Sequence, residues 1–286
     1  MSTQVPAMEI AAAYELCEAV TRREAKNFAY GIRLLRPPER RALSAVYALA
    51  RRIDDIGDGE LPPDEKLTAL QEVRKSIDPI DDDTDDPVLI AVADAGRRYD
   101  LPIAVFGEII DGCEMDVIGT SYVTIEDLVG YCRRVAGSVG RLSLAIFGAR
   151  EPERAEPLAD ALGVALQLTN ILRDIVEDRG FGRVYLPSTD AEAVGCAPDL
   201  SGPPELVAKL VALECTRADA WFEEGLQLLG LLDGRSRACV AAMAGIYRRL
   251  LVRIEREPIA VTRGRLSLPM WEKGLVAARS LAGRQP

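Results

Sequence analysis

The feature that most limits the fold of this chain is a helical periodicity that continues along almost its whole length. Ala, Leu, Arg and Glu are abundant, whereas the alternation of β-branched residues that is typical of strands is scarce. Prolines and glycines interrupt the pattern at intervals. Because no repeat period or linker-like stretch divides the chain, we expect one all-α, single-domain helical bundle over residues 1–286. The predicted helices are 9–26, 39–57, 63–77, 87–99, 102–118, 124–147, 154–178, 204–230, 236–256 and 267–283.

Composition and charge exclude several classes of function. The chain has 286 residues and a formal net charge of −10 with no basic block, so nucleic acid is not an expected partner. It contains no histidine, which excludes Ser-His-Asp and Cys-His catalysis and His-ligated zinc. The six cysteines are scattered without a C-x-x-C pair, so we expect reduced thiols. Chemistry must therefore depend on carboxylates, Arg, Lys, Tyr, a thiol or a metal ion.

The two ends of the chain bear on its location. The N-terminal stretch has no basic start and does not resemble a secretion signal. No apolar run reaches the roughly 18 residues that cross a bilayer, so we expect a cytoplasmic protein. The stretch 253–280 mixes basic residues, including Arg265, with apolar ones, including Leu268, Met270 and Trp271. It is predicted either to pack on the bundle as a terminal helix or to rest on an anionic membrane surface. Nothing in the sequence indicates an oligomeric state.

The stretch "AVYALARRIDDIGDG" (Ala45 to Gly59) places polar residues along one face of a predicted helix. Tyr47, Arg51, Asp54 and Asp58 are spaced by four, three and four residues, which is the spacing of one helix face. Most of the residues between Tyr47 and Asp54 that do not belong to this face are apolar. A single D-x-x-x-D row is common on solvated helices, so this row by itself does not identify a site.

A second stretch, "NILRDIVED" (Asn170 to Asp178), repeats the pattern. Asn170, Asp174 and Asp178 recur every fourth position and therefore lie along one face of a helix. The surrounding leucines and isoleucines predict that this helix is buried. Like charges at this spacing repel each other, and carboxylates in a cavity are unfavourable unless a positive group neutralises them.

Two acidic rows in apolar surroundings predict a metal site. The candidates that could neutralise them are Arg51, Arg173 and divalent cations. Oxygen ligands from Asp and Asn favour a hard ion such as Mg²⁺, with Mn²⁺ as a substitute. Since Mg²⁺ commonly takes its other ligands from phosphate, two facing rows would hold a diphosphate from both sides. A ligand with a diphosphate head and a long hydrocarbon tail would suit such a cavity.

Three stretches resemble the squalene/phytoene synthase family of head-to-head isoprenyl transferases. They are "RRIDDIGD" (Arg51 to Asp58), "YCRRVAGSVG" (Tyr131 to Gly140) and "ALQLTNILRDIVEDRGFGRVYLP" (Ala165 to Pro187), within a resemblance from about Asn27 to Ile259. The resemblance implies an isoprenoid-synthase helical bundle with a central apolar cavity. It also implies that the substrates are prenyl diphosphates.

The resemblance implies roles for individual residues as well. Asp54 and Asp58 would form a first aspartate-rich motif, and Asn170, Asp174 and Asp178 a second; together they would bind Mg²⁺ and the substrate diphosphates. The residues that match other substrate positions of the family are Asn27, Tyr47, Arg51, Gln167, Arg173 and Tyr247, and those that match a flap near the reacting centre are Arg183 and Tyr185.

The N-terminal part of the resemblance directs the choice of substrate. Many phytoene and dehydrosqualene synthases carry a Ser-rich stretch where this chain reads "EAKNFAYGIRLL" (Glu24 to Leu35), with Asn27 in place of a serine. This form resembles bacterial presqualene diphosphate synthases of hopanoid or squalene pathways. We therefore expect Mg²⁺-dependent condensation of two farnesyl diphosphates to presqualene diphosphate, with a tyrosine or the released diphosphate as proton acceptor.

Other functions remain open at this point. Two geranylgeranyl diphosphates would give phytoene, and further ionisation of a farnesyl-derived intermediate would give dehydrosqualene or squalene. Reduction to squalene needs NADPH, which we do not expect as a cofactor. Outside this class, an all-α Mg²⁺-dependent pyrophosphohydrolase or a non-catalytic helical binding module would also present acidic helices.

Overall fold

The computed structural model describes residues 7–25, 27–80 and 84–283. Within these ranges the chain forms α-helices and no strand, which confirms the all-α prediction. None of these helices combines the length and the apolar composition needed to cross a membrane. The helices are α1 (Ala7–Glu24), α2 (Phe28–Ile32), α3 (Pro37–Asp58), α4 (Pro63–Ile77), α5 (Pro87–Tyr99), α6 (Phe106–Val117), α7 (Ile125–Cys132), α8 (Ser138–Phe147), α9 (Pro152–Gly180), α10 (Ser188–Ala193), α11 (Pro204–Gly225), α12 (Gly234–Arg256) and α13 (Met270–Leu281).

Prolines determine where several long helices begin. A proline is the first residue of α3, α4, α5, α9 and α11. Its fixed φ angle suits the first turn, and the N–H that it lacks would have no partner within the helix there. The prolines that interrupt the sequence pattern are therefore helix starts, not merely loop residues.

Most predicted helices are present, and the differences have local causes. α4 and α5 begin and end at the predicted residues. The predicted helix 124–147 is α7 and α8 joined by a π-helical turn, Arg133–Gly137. The predicted helix 102–118 opens with a 3-10 turn, Ile103–Val105, before α6. The helices α2 and α10 were not predicted because five or six residues are too few to establish a period. The predicted end of the first helix, residue 26, lies outside the described residues.

Two helices organise the interior. α9 packs against α8, α11, α12 and the π turn, whereas α3 packs against α1, α5, α6 and α8. Buried apolar side chains form one cluster around α9 and a second around α3. A central cavity is lined by residues of both clusters, so the predicted cavity is present.

Small residues allow the wall of this cavity to approach α9 closely. A Cβ atom at Gly140 would lie 2.5 Å from the backbone oxygen of Ala159, and one at Gly163 would lie 2.6 Å from that of Ala136. Any side chain at these positions would force α8 and the π turn away from α9. Val135 in the same turn lines the cavity. The "VAGSVG" stretch therefore serves both close packing and the shape of the cavity.

Candidate active site

The C-terminal halves of α3 and α9 line a polar compartment with a volume of ≈ 270 Å³. Five aspartates line it: Asp54 and Asp58 from α3, Asp116 from α6, and Asp174 and Asp178 from α9. The two predicted acidic rows therefore meet in one compartment. The other predicted residues in its lining are Gln167, Asn170, Arg173, Arg183 and Tyr185.

An apolar compartment of ≈ 230 Å³ adjoins the polar one. Asp54, Gln167 and Asn170 line both compartments, so the two share part of their wall. Tyr47 and Arg51 line only the apolar one. Its apolar walls are formed by Phe28, Ile32, Leu43, Val46, Val139, Leu144, Phe147, Leu162, Leu166, Leu228 and Met243, among others.

Two carboxyl groups hold their protons more tightly than an ordinary aspartate does. Burial, together with the charge of Asp58, raises the pKa of Asp54 to about 7. Burial and the charge of Asp174 raise the pKa of Asp178 to about 7. The Asp54 side chain is surrounded by protein atoms on most sides, but it remains accessible to solvent through the cavity. The polar compartment therefore concentrates negative charge that bound cations would relieve.

Three arginines contact the acidic rows. Arg183 Nη1 lies 2.7 Å from Asp58 Oδ1. Arg173 donates through Nε to Asp174 Oδ1 at 2.7 Å and through Nη2 to the other carboxylate oxygen. Arg265, which lies between α12 and α13, places Nε 3.2 Å from Asp174 Oδ1. The neutralising role predicted for Arg173 is thus matched by its position, and Arg265 is an addition that helix spacing did not reveal.

Arg51, one of the candidates to neutralise the acidic row of its own helix, makes its close ion pair outside this row. Its Nη2 lies 2.6 Å from Asp55 Oδ1, and the Asp55 side chain is 56% exposed. Asp55 is one helical turn further on, so the local geometry of α3 favours this pair. The Arg51 charge acts on Asp54 from a greater distance, where it opposes the rise in the Asp54 pKa.

A turn after α9 directs the flap residues across the compartment. Gly182 has a φ of 76°, a left-handed conformation that glycine adopts without strain. The Arg183 N–H then donates to the backbone oxygen of Asp178 at 2.9 Å, and its guanidinium reaches α3. Tyr185 follows on the same segment and is buried. The placement of Arg183 and Tyr185 near the acidic rows agrees with the family resemblance.

A tyrosine and carboxylate cluster was not singled out by sequence reasoning. Asp116 accepts hydrogen bonds from the hydroxyls of Tyr131 at 2.8 Å and Tyr185 at 2.9 Å. The two tyrosine rings stack with centroids 5.1 Å apart. Burial raises the pKa of Asp116 and that of Tyr131. Tyr131 begins the quoted "YCRRVAGSVG" stretch and could have been found there, but Asp116 stands in no row or motif.

Two predicted substrate residues do not line either compartment. Tyr247 is buried behind the wall, where it accepts a hydrogen bond from Arg173 and packs its ring against Phe28, with centroids 5.5 Å apart. Asn27 is adjacent to Phe28, and its buried Oδ1 has no hydrogen-bond partner. Tyr247 can therefore position Arg173. Among the hydrogen bonds of the described residues, none joins Asn27 to the acidic rows.

The atoms with which the acidic rows could bind a metal ion suit a hard divalent cation. All of them are oxygens, and Asn170 presents a buried Oδ1 that has no hydrogen-bond partner. Within the described ranges, no three or more His, Cys, Asp or Glu side chains close around one ion position. Mg²⁺ usually completes its coordination with water and substrate phosphate. The rows therefore suit cations that they share with an anionic ligand.

A helical bundle whose acidic rows adjoin an apolar cavity defines a protein of the isoprenoid-synthase type. Its family is the squalene/phytoene synthase family, which matches residues 21–272, and the chain belongs to it. The reaction of this family is head-to-head prenyl transfer.

Named relatives cover most of the chain. The phytoene synthase of Mycobacterium tuberculosis is 48% identical over 280 residues, which cover 96% of this chain and 92% of that protein. The presqualene diphosphate synthase of Sinorhizobium fredii is 36% identical over 251 residues, which cover 82% and 88%. The crystal structure of a dehydrosqualene synthase in complex with ligand superposes with a TM-score of 0.87 and 26% identity, covering 96% of this chain and 98% of that one. Both sequence and fold therefore agree on the family.

Proposed function

We propose that this chain is a phytoene synthase that joins two molecules of geranylgeranyl diphosphate head to head. The observation that carries the proposal is a polar compartment, lined by two acidic rows, that adjoins an apolar compartment. The polar part suits diphosphate groups, and the apolar part suits prenyl chains. The twenty-carbon substrate is supported by the 48% identity with a mycobacterial phytoene synthase. We therefore prefer phytoene synthesis, which the sequence left open as an alternative, to the reaction first expected, which forms presqualene diphosphate from farnesyl diphosphate.

The side chains of the polar compartment bind the diphosphates in this proposal. The residues that would hold Mg²⁺, or Mn²⁺ in its place, are Asp54, Asp58, Asn170, Asp174 and Asp178. Bound cations would supply positive charge that stabilises the leaving diphosphate. The guanidinium groups of Arg173, Arg183 and Arg265 lie beside the rows and can donate hydrogen bonds to phosphate oxygens.

The apolar compartment protects the reacting carbon atoms. The C–O bond of one substrate breaks, and diphosphate leaves an allylic cation. The C2–C3 double bond of the second substrate attacks this cation, and loss of a proton closes a cyclopropane. A second loss of diphosphate, rearrangement and loss of another proton then give phytoene without any reductant. Walls such as Val135 and Leu166 keep water away from the cationic intermediates.

The cluster of Tyr131, Asp116 and Tyr185, which lines the polar compartment, is a candidate proton acceptor. A tyrosine oxygen can take the proton from the carbocation while its own hydroxyl proton passes to Asp116 along an existing hydrogen bond of 2.8 Å or 2.9 Å. Burial raises the pKa of Asp116, which makes it a better base than an ordinary aspartate. The released diphosphate is the other acceptor that the chemistry allows.

Product analysis tests the proposal. The protein is incubated with geranylgeranyl or farnesyl diphosphate and Mg²⁺, with and without NADPH, and the products are identified by mass spectrometry. We expect a forty-carbon hydrocarbon from geranylgeranyl diphosphate, in equal amount with and without NADPH. Presqualene diphosphate as the main product, from farnesyl diphosphate only, would favour the second candidate, which the 36% identity with a presqualene diphosphate synthase supports.

Chelation tests the metal part of the proposal. Excess EDTA should abolish turnover, and Mg²⁺ added beyond the chelator should restore it, because the rows need positive charge to hold diphosphate. Helical circular dichroism recorded on the same samples serves as the control for folding. Full turnover in EDTA would contradict the metal-dependent mechanism.

A further inference from the structure

The outer half of α13 is apolar and faces solvent. Met270 is 77% exposed, Trp271 69%, Leu281 50% and Leu275 39%. At the helical period these four side chains lie on one half of α13, together with small residues. A soluble helix normally presents polar residues on this side. Large apolar side chains grouped on one surface indicate a binding surface.

The inner half of α13 packs on the protein. Val276, Ala277 and Ser280 are buried, and α13 packs against α12 and α2. The prediction that the C-terminal stretch packs as a terminal helix is therefore correct for this half. Leu268 is buried and Arg265 is bonded to Asp174, so these two residues of the stretch do not belong to the exposed surface.

A basic cleft lies beside this helix. Arg248, Arg249, Arg253 and Arg256 of α12 line a cleft of ≈ 430 Å³, with Glu272 of α13 as the carboxylate in its lining. Arg249 and Arg253 lie 3.3 Å and 3.1 Å from this one carboxylate. Four guanidinium groups around one carboxylate leave the cleft positively charged.

The charge of this region is opposite to that of the whole chain. Residues 245–283 include eight basic and three acidic residues, although the chain has a net charge of −10. Arg248 is neutralised by Asp219, 3.0 Å away, and Arg265 serves the polar compartment. The other six basic residues still outnumber the acidic ones. The positive charge is therefore concentrated next to the exposed apolar half of α13.

We propose that α13 and the arginine cleft dock this protein on an anionic lipid bilayer. Met270, Trp271 and Leu275 enter the boundary between head groups and acyl chains, where Trp is favoured, and Arg253 and Arg256 contact lipid phosphates. Charge complementarity favours this partner over a second copy of the chain, since a symmetric dimer through this face would bring two basic clefts together.

The position of α13 gives the docking a use in head-to-head prenyl transfer. α13 packs against α2 and α12, and Phe28 of α2 lines the apolar compartment and packs against Tyr247 of α12. α2 and α12 therefore connect α13 to that part of the cavity wall. The product of the family reaction is a hydrocarbon-rich molecule that water does not dissolve. Docking would keep the cavity near the bilayer that receives it.

Vesicle binding tests the proposal. The full chain is sedimented with vesicles of phosphatidylcholine alone or mixed with phosphatidylglycerol, at low and high salt. We expect binding to the mixed vesicles that salt weakens, and a blue shift of Trp emission. The M270S/W271S variant should lose at least about tenfold in partition coefficient because it removes two inserted side chains. The R256E variant, which reverses the charge of one of the two arginines that contact lipid phosphates, should lose a similar factor on mixed vesicles only.

A matched variant and a mass measurement complete the experiment. M8S/L16S replaces apolar residues of α1 that are 84% and 42% exposed, and it should bind vesicles like the unchanged protein. Circular dichroism checks that every variant is folded. Failure of the unchanged protein to bind mixed vesicles, or equal binding by M270S/W271S, would overturn the proposal. So would light scattering that finds a dimer which M270S/W271S converts to a monomer, because a second copy would then cover this face.

Discussion

The two compartments of the cavity are built by the same two helices, yet their chemistry is opposite. On α3, Tyr47 and Arg51 line only the apolar compartment, Asp54 lines both, and Asp58 lines only the polar one. The change takes place within three turns of a single helix. Residues three or four positions apart therefore share one helix face but serve different parts of the substrate site.

α9 changes in the same order. Leu162 lines the apolar compartment, Asn170 lines both, and Asp174 and Asp178 line the polar one. Both helices thus run from the apolar towards the polar end of the cavity. The acidic rows therefore meet because two helices with the same gradient line the same cavity, and not because of an unusual loop.

Both acidic rows lie near the C-terminal ends of their helices, and this is a further difference between the polar and the apolar compartment. Asp58 is the last residue of α3, and Asp178 is two residues before the end of α9. The C-terminal end of a helix carries partial negative charge, which disfavours carboxylates and favours cations. Helix stability therefore does not explain these aspartates, whereas the cation-dependent site that we propose would explain them.

Removal of charge from the rows should have the largest effect. Asp54→Asn or Asp174→Asn should lower turnover by on the order of 10³-fold, because each removes an oxygen ligand with its charge from the diphosphate site. Steady-state assays measure turnover, and circular dichroism confirms an unchanged helical signal. Asp64→Asn, on the exposed first turn of α4, is the matched control and should remain active. Full activity of either row variant would remove the role of the rows.

Loss of one hydroxyl from the lining of the polar compartment should have the next largest effect. Tyr131→Phe should slow turnover by about 10²-fold if the cluster accepts the proton, since this is a usual contribution of a positioned base. The control is Tyr122→Phe: Tyr122 packs on Tyr131 with ring centroids 5.5 Å apart, but its hydroxyl has no hydrogen-bond partner. Equal rates for both variants would exclude Tyr131 and leave Tyr185 or the released diphosphate as the acceptor.

Filling the apolar compartment should alter the choice of substrate and leave diphosphate binding intact. Ser143 lines this compartment only, so Ser143→Phe should reduce the space for a prenyl chain. We expect kcat/KM for geranylgeranyl diphosphate to fall about tenfold more than that for farnesyl diphosphate. Inhibition by inorganic pyrophosphate, which needs only the polar compartment, should not change. An equal fall for both substrates would argue against a division of labour between the compartments.

A buried carboxyl group outside the cavity, that of Glu214, should have a smaller effect, and this effect is on stability and not on turnover. Burial raises the pKa of Glu214 to about 7, although Arg217 lies 2.7 Å away. The folded protein keeps the Glu214 proton at pH values at which the unfolded chain releases it. The protonated Glu214 therefore stabilises the fold fully below pH 4.5, which is the ordinary pKa of a glutamate, and this stabilisation is lost as the pH rises through 7. Glu214→Gln cannot titrate.

The melting temperature of Glu214→Gln should therefore fall less than that of the unchanged protein between about pH 5 and about pH 8, with a difference of about 2–4 °C. Turnover should not change, since Glu214 lines neither compartment. Glu205→Gln, an exposed position on the same helix, should melt like the unchanged protein at each pH. Identical pH dependence of all three proteins would contradict the raised pKa of Glu214.

Several elements could be predicted because their causes are local. The spacing of Asp54 and Asp58, and of Asn170, Asp174 and Asp178, follows from the period of one helix and holds wherever that helix lies. Proline starts likewise led to α4 and α5 with the correct ends. The π turn at Arg133–Gly137 was not predicted, because an extra residue within one turn does not change the apolar pattern enough to be recognised.

Other contacts depend on how the helices pack. Asp116 lies on α6, 15 positions before Tyr131 and 69 before Tyr185, and no spacing within α6 links it to either tyrosine. Arg265 belongs to a stretch that was predicted either to pack on the bundle or to rest on a membrane surface, yet it reaches Asp174. Arg51 was assigned to the acidic row, yet it pairs with Asp55 one turn away. Each of these outcomes was decided by which side chains are brought together in space.

The sequence by itself determined the helical class, the two acidic rows and the family, because the period of a helix and the order of residues along it are local properties. The tertiary structure alone decided which side chains from distant helices share the polar compartment, which arginine reaches which aspartate, and which half of α13 stays exposed. The physical reason is that hydrogen bonds and burial depend on distances between helices, and these are set by the packing of the whole core.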